Sequence, residues 1–261
     1  MTTLPEILAC PLCHIALVNA PQPCEQCQDC YRRELTKIGQ EYTFLELTPE
    51  ASCQSGVKKP LRTNIFQNPL ISFFYERVLP PIWAMGLRNM GGIEREVLQV
   101  KNFFTSQSDI VLDLSCGTGL MARQLVLSGH YQQVIALDYS QEMLTVLQQQ
   151  TLAEGICSSQ ILRLRGDVET LPLLPNSVDA IYAGAALHCW PDAQTGMNNL
   201  YQILRAGGKF YGTTFLKPLP SFVFRFFTLE ELRQILCLAG FQPSSIQLTQ
   251  HGLYGVMRGI K

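Results

Sequence analysis

The chain has 261 residues, 47% of them apolar, which excludes wholesale disorder. Its 20 Lys and Arg face 21 Asp and Glu, so there is no global basic field to grip a polyphosphate. Charged residues make up only 16%, which leaves surface for a greasy ligand. The most apolar candidate span, from Pro69 to Leu87, is broken by Glu76, Arg77 and Pro80–Pro81, so no transmembrane segment is expected. The first residues lack the basic and apolar regions of a secretory signal, and a cytoplasmic protein is expected.

Five of the ten cysteines fall between Cys10 and Cys30, as Cys10-Pro-Leu-Cys13 and Cys24-Glu-Gln-Cys27-Gln-Asp-Cys30. Two CxxC pairs at this separation supply the four thiolates of a tetrahedral Zn²⁺ site. The expected ligands are Cys10, Cys13, Cys27 and Cys30, with Cys24 or His14 able to replace one of them. Four filled positions leave no place for substrate, so the metal would be structural. It would hold a zinc-ribbon-like lobe over 1–48, which the strand-like run Glu41–Leu47 completes. Residues 49–92 read as linker and lid. Pro49, Gly56 and Pro60 mark the linker, and apolar residues recur at helical spacing from Pro69 until Pro80 stops the helix. That stripe, with Phe73 and Phe74, either packs on the main core or covers an active site. Gly91-Gly92 is a hinge before a helix from Ile93 to Phe104.

From Asp109 the pattern becomes strand, loop and helix in alternation. Ile110–Leu114 is a buried parallel strand that runs into Ser115-Cys-Gly117-Thr-Gly119, and a helix follows from Leu120 to Ser128. Val134–Asp138 is a second strand whose final carboxylate suits two ribose hydroxyls. In this order the elements form a βαβ unit that binds an adenosine moiety. Asp113, just before the loop, would repel a pyrophosphate but suits an ammonium group, as in S-adenosylmethionine.

Val111-Leu-Asp-Leu-Ser-Cys-Gly-Thr-Gly119 resembles the first motif of class I S-adenosylmethionine-dependent methyltransferases, and Ala136-Leu-Asp-Tyr-Ser140 resembles the second. Gly166-Asp-Val-Glu-Thr-Leu-Pro172 resembles the adenine-contacting segment, Asp179–Pro191 the fourth strand with its active-site loop, and Leu204–Thr214 the turn and strand beyond. The resemblance covers residues 93–261 and implies an α/β, Rossmann-like, seven-stranded methyltransferase sheet. It implies cofactor contacts from Asp113, Ser115, Gly117, Gly119, Asp138, Tyr139, Ser140, Asp167, Val168 and Ala183. Ser115 stands where the family usually has glycine, which is tolerable if its φ stays negative or the loop widens. The whole chain is similar to a UbiE-like branch of cyanobacteria and chloroplasts. Its layout also resembles bacterial 23S rRNA guanine-N1 methyltransferases.

Family analogy sets Leu187–Trp190 beside the transferred methyl. His188 is the residue there that could serve as a base near pH 7, or it could orient the loop. Phe222–Phe227 reads as an aromatic loop at the pocket mouth, facing Phe73, Phe74 and Trp83. Thr228 with Glu231 forms a capping box for a helix that ends at Gly240. The expected function is methylation of a small, hydrophobic acceptor of quinol or phenol type, of membrane origin. No nucleic acid is expected as partner: residues 1–50 hold Arg32, Arg33 and Lys37 against seven acidic side chains. RNA methylation and a non-enzymatic adaptor are the alternatives.

Overall fold

The computed structural model describes residues 4–11, 13–18, 44–48, 92–104, 110–157, 159–218 and 224–261. Eight strands form one sheet: β1 (Leu45–Glu46), β2 (Ile110–Leu114), β3 (Gln133–Asp138), β4 (Ile161–Arg165), β5 (Val178–Ala183), β6 (Leu204–Phe215), β7 (Gln247–His251) and β8 (Tyr254–Ile260). Their spatial order is β1-β4-β3-β2-β5-β6-β8-β7. Pairing is parallel from β1 to β6, and β8 joins β6 and β7 antiparallel. Every residue of β2 is buried, which is why it reads as a nearly unbroken apolar run rather than an alternating one.

Helices α1 (Gly92–Phe104), α2 (Leu120–Leu127), α3 (Gln141–Ala153), α4 (Ala193–Ile203) and α5 (Leu229–Ala239) connect or flank the strands. Side chains of β2 alternate between two cores. Val111 packs with Val100, Phe104, Met121, Leu125, Leu144 and Leu147 of α1 to α3. Leu112 and Leu114 belong instead to the layer of Met197, Leu200, Leu232 and Leu236 from α4 and α5. The expected capping box starts α5: the Thr228 hydroxyl accepts from Glu231 N–H at 3.2 Å, and the Glu231 carboxylate accepts from Thr228 N–H at 2.6 Å. From β2 the chain crosses to β3 on one side, while β5 lies on the other. The strand order reverses there, and a crevice opens beyond the carboxyl ends.

One expectation is corrected. The sheet has eight strands rather than seven, because Leu45–Glu46 pairs with β4 instead of completing a separate ribbon. The described N-terminal residues also pack on the sheet. Leu8 bridges Leu173, and Ile7, Leu8, Cys10, Leu17, Leu45 and Leu47 all share a core with Leu164, Leu171 and Leu173. So few apolar residues bury poorly alone and gain more against a large preformed sheet. The expected lid, with Phe73, Phe74 and Trp83, lies outside the described residues. Among the described residues no helix is long and apolar enough to cross a membrane.

Candidate functional site

The crevice holds an open cavity at the carboxyl ends of the strands, where open α/β sheets bind ligands. One wall comes from the expected residues Ser115, Gly117, Asp138, Tyr139, Ser140, Asp167 and Val168. Gly117 has φ 56° and sends its N–H to Asp138 Oδ2 at 2.8 Å, while Ser140 N–H donates to Asp138 Oδ1 at 2.8 Å. The carboxylate at the end of β3 is therefore oriented before any ligand arrives. Burial pushes its pKa up, opposed by N–H donors from Ser140, Gly117 and Tyr139. Ser140 also caps α3, its hydroxyl accepting from Met143 N–H at 3.3 Å. Gly119 does not line the cavity but shapes it. Its φ is 70°, and a Cβ there would collide with the Leu147 side chain.

Ser115 departs from expectation: its φ is 58°, in the left-handed region that costs an ordinary residue about 1–2 kcal/mol. A specific contact offsets that cost. Trp190 Nε1 donates to Ser115 Oγ at 3.0 Å, tying the glycine loop to the loop after β5. Asp113 is 1% exposed and does not line the cavity; its Oδ2 accepts from Ala122 N–H at 2.9 Å in the first turn of α2. Burial, reinforced by the charges of Asp138 and Glu96, pushes its pKa up to about 7 against the Ala122 bond. Ala183 is fully buried behind the wall that its neighbours Gly184, Ala185 and Ala186 form.

The opposite wall is built by Gly184, Ala185, Ala186, Cys189, Trp190 and Pro191, all within the stretch Asp179–Pro191 expected to carry the active-site loop. Ala185 is held at φ 48° by donating to Thr213 Oγ1 at 2.8 Å. Thr213 in turn accepts from Tyr254 at 2.7 Å and donates to Glu96 Oε1 at 3.4 Å. Leu137, Met143 and Gly166 complete the cavity. Met143 stands on the first turn of α3, which Ser140 caps.

His188 sits in the 3₁₀ turn Leu187–Cys189 but does not line the cavity. It is 2% exposed, with Nδ1 3.3 Å from Thr214 Oγ1 and its ring edge-on to Phe215 and Phe224 at 5.2 and 5.4 Å. Burial pushes its pKa down to about 3, so the ring is neutral at pH 7. Phe222 lies outside the described residues. Phe227, expected at the mouth, is fully buried, whereas Phe224 and Phe226 remain partly exposed.

Of the expected zinc ligands, Cys27 and Cys30 lie outside the described residues, as does the substitute Cys24. Cys10 is buried and Cys13 exposed on a hairpin in which Cys10 N–H donates to Ile15 O at 2.9 Å and His14 N–H to Cys10 O at 2.8 Å. Among the described residues no group of three His, Cys, Asp or Glu could hold a metal ion. A complete set needs residues from outside that range.

Residues 112–212 match a family model described as a methyltransferase domain. Two uncharacterized chloroplastic methyltransferases of Arabidopsis thaliana are similar to the chain. One is 36% identical over 83% of this chain and 64% of the relative; the other is 33% identical over 88% and 66%. The chain thus spans a little under two thirds of the length of these relatives. A demethylmenaquinone methyltransferase of Lactobacillus johnsonii is 32% identical over 42% of the chain and 46% of that protein. Among solved structures, a Haemonchus contortus phosphoethanolamine N-methyltransferase in complex with S-adenosylhomocysteine has a TM-score of 0.62 at 17% identity, covering 79% of this chain and 60% of that one. The [4+2]-cyclase SpnF shares the fold at TM-score 0.59 and 18% identity, over 79% and 99% of the chains. Sheet order, glycine loop and acidic strand end agree with these matches: residues 112–212 carry a methyltransferase domain, on the fold that these solved structures share.

Proposed function

We propose that the protein transfers the methyl group of S-adenosylmethionine to a small hydrophobic acceptor of quinol or phenol type. The observation that carries this reading is Asp138, pre-oriented by Gly117 and Ser140 in the wall of the open cavity. Its carboxylate suits the ribose hydroxyls, and Tyr139, Met143 and Val168 suit the adenine faces. When bound, the cofactor supplies an activated methyl on a sulfonium for in-line displacement. Alignment and exclusion of water are the protein's share. Ala185, Ala186 and Trp190 form a largely apolar wall for that step. The presence of demethylmenaquinone methyltransferases among the similar proteins supports an acceptor with an aromatic ring.

His188 fits the loop-orienting role better than that of a base. Its carbonyl accepts from Arg225 N–H at 3.2 Å, so it joins the Phe224–Phe226 strip to the loop after β5. Proton transfer to the ring would place an imidazolium where burial disfavours it. A structural zinc on Cys10, Cys13, Cys27 and Cys30 belongs to the same reading, supported by the hairpin that carries the first pair. Metal analysis should give about one zinc per chain, released by Cys10→Ser. Finding none in protein purified without chelator would end that part. The cytoplasm, where such thiols stay reduced, is the compartment that suits this reading.

Incubation with methyl-labelled S-adenosylmethionine and fractionated extract tests the function. Label is expected in the lipid or small-molecule fraction. Label in RNA would overturn the acceptor class, and tight cofactor binding without transfer to any fraction would favour an adaptor.

A further inference from the structure

Among the described residues the N-terminal segment pairs with the domain on both sides of one stretch of cavity wall. Residues 166–171, which carry Asp167 and Val168, leave the end of β4 and run to Pro172. On the near side β1 pairs with β4, with Leu45 opposite Leu164 and Glu46 opposite Arg165, and Leu47 N–H donates to Arg165 O at 2.9 Å. On the far side Ala9 N–H donates to Pro172 O at 3.0 Å and Leu174 N–H to Ile7 O at 2.8 Å. The stretch between is therefore held at both ends by residues distant in sequence.

The near clamp also reaches the cavity through side chains. Glu46 Oε2 lies 2.6 Å from Arg165 Nη1, and both side chains are about four-fifths buried. Thr48 fixes the other carboxylate oxygen through its N–H and hydroxyl, at 3.2 and 2.5 Å. Arg165 Nε then donates to Tyr139 O at 3.1 Å, and its guanidinium stands 5.6 Å from the centre of the Tyr139 ring. Tyr139 lines the cavity next to Asp138. We infer that Glu46 and Arg165 are positioning residues for the cofactor, through which the N-terminal segment sets the affinity of the nucleoside end of the site. This rests on the assignment of the cavity to S-adenosylmethionine. It gives the N-terminal segment a task in cofactor binding rather than in gripping the acceptor.

The test is calorimetric titration of the full chain with S-adenosylhomocysteine, using Glu46→Ala, Arg165→Ala and the double variant. Each single variant is expected to weaken binding about fivefold, in line with one partly buried charged contact acting indirectly. Because Glu46 acts through Arg165, the double variant should lose no more than Arg165→Ala alone. Glu46→Gln, which keeps an acceptor oxygen for Arg165, should recover most of the affinity. It also serves if Glu46→Ala fails to fold. A purely structural role would give additive losses and no recovery by glutamine. Unchanged affinity in the single variants, or additive losses, overturns the inference. A wild-type chain that binds no S-adenosylhomocysteine overturns the cavity assignment as well. Loss of binding in Asp138→Ala with none at Glu46 or Arg165 overturns the inference alone.

Discussion

Replacing Asp138 by alanine removes more than two ligand contacts. The carboxylate accepts from Gly117 and Ser140 at 2.8 Å each, so its loss frees the two N–H groups that shape the loop around the nucleoside. Charge-assisted hydrogen bonds are worth about 1.5–3 kcal/mol each. The desolvation of this buried carboxylate is already incurred in the free protein, so little of it is recovered on binding. Taking two ribose hydroxyls at the low end gives about 3 kcal/mol, on the order of 10² in affinity. Asp138→Asn is expected to do little better. Its amide offers one acceptor oxygen and turns its NH₂ toward Gly117 or Ser140 N–H, donor against donor. Calorimetry with S-adenosylhomocysteine on folded variants reads both losses. Since burial raises the Asp138 pKa, wild-type affinity should also weaken on acidification as the carboxylate takes a proton. Affinity of the Asp138→Asn variant within about twofold of wild type would refute the argument, because the charge and the second acceptor would then be idle.

Three other outcomes follow from the same geometry. Asp113 takes a proton in the folded chain near pH 7 but ordinarily near 3.8, so its ionisation costs stability as pH rises between those values. Asp113→Asn keeps an oxygen for Ala122 N–H, and its Tm advantage over wild type should grow from about pH 4 to 7 and level off above that; a pH-independent difference contradicts this. His188 has the opposite sign: the unfolded ring takes a proton near 6.5 that the folded ring refuses until about 3, so stability is lost as pH falls through that window. His188→Gln should flatten the acid loss, and a limb near pH 6.5 in the wild-type rate profile that vanishes in His188→Gln would restore the base reading. At Ser115, alanine keeps the left-handed strain and loses the Trp190 bond, while glycine loses both strain and bond. Thermal unfolding should therefore rank wild type above Ser115→Gly and Ser115→Gly above Ser115→Ala, the last two separated by about 1 kcal/mol.

The parts of the site built from local signals were legible. Gly117, Gly119 and Asp138 combine a tight loop, a helix start and a strand end within one βαβ unit, where spacing carries the geometry. The capping box at Thr228 was equally local. Long-range pairing was not: β1 is two residues long, and nothing in Leu45–Glu46 names β4 as its neighbour. The Ser115 backbone is illegible from its own neighbourhood because the compensating indole lies 75 residues away. Gly184–Ala186 leave no chemical signature, because such a wall acts through backbone and small size. His188 shows its residue type but not its surroundings; Phe215, Phe224 and Phe226 decide its protonation, and they gather only in the fold.

Titration of the wild-type chain with S-adenosylhomocysteine, set beside an NAD titration, tests the central claim most directly. The pre-oriented Asp138 and the cavity predict saturable binding of S-adenosylhomocysteine at one site per chain and none of NAD, whose pyrophosphate would meet a first turn of α2 in which the Ala122 N–H is already taken by Asp113 Oδ2. No binding of S-adenosylhomocysteine, or tighter binding of NAD, would contradict the account.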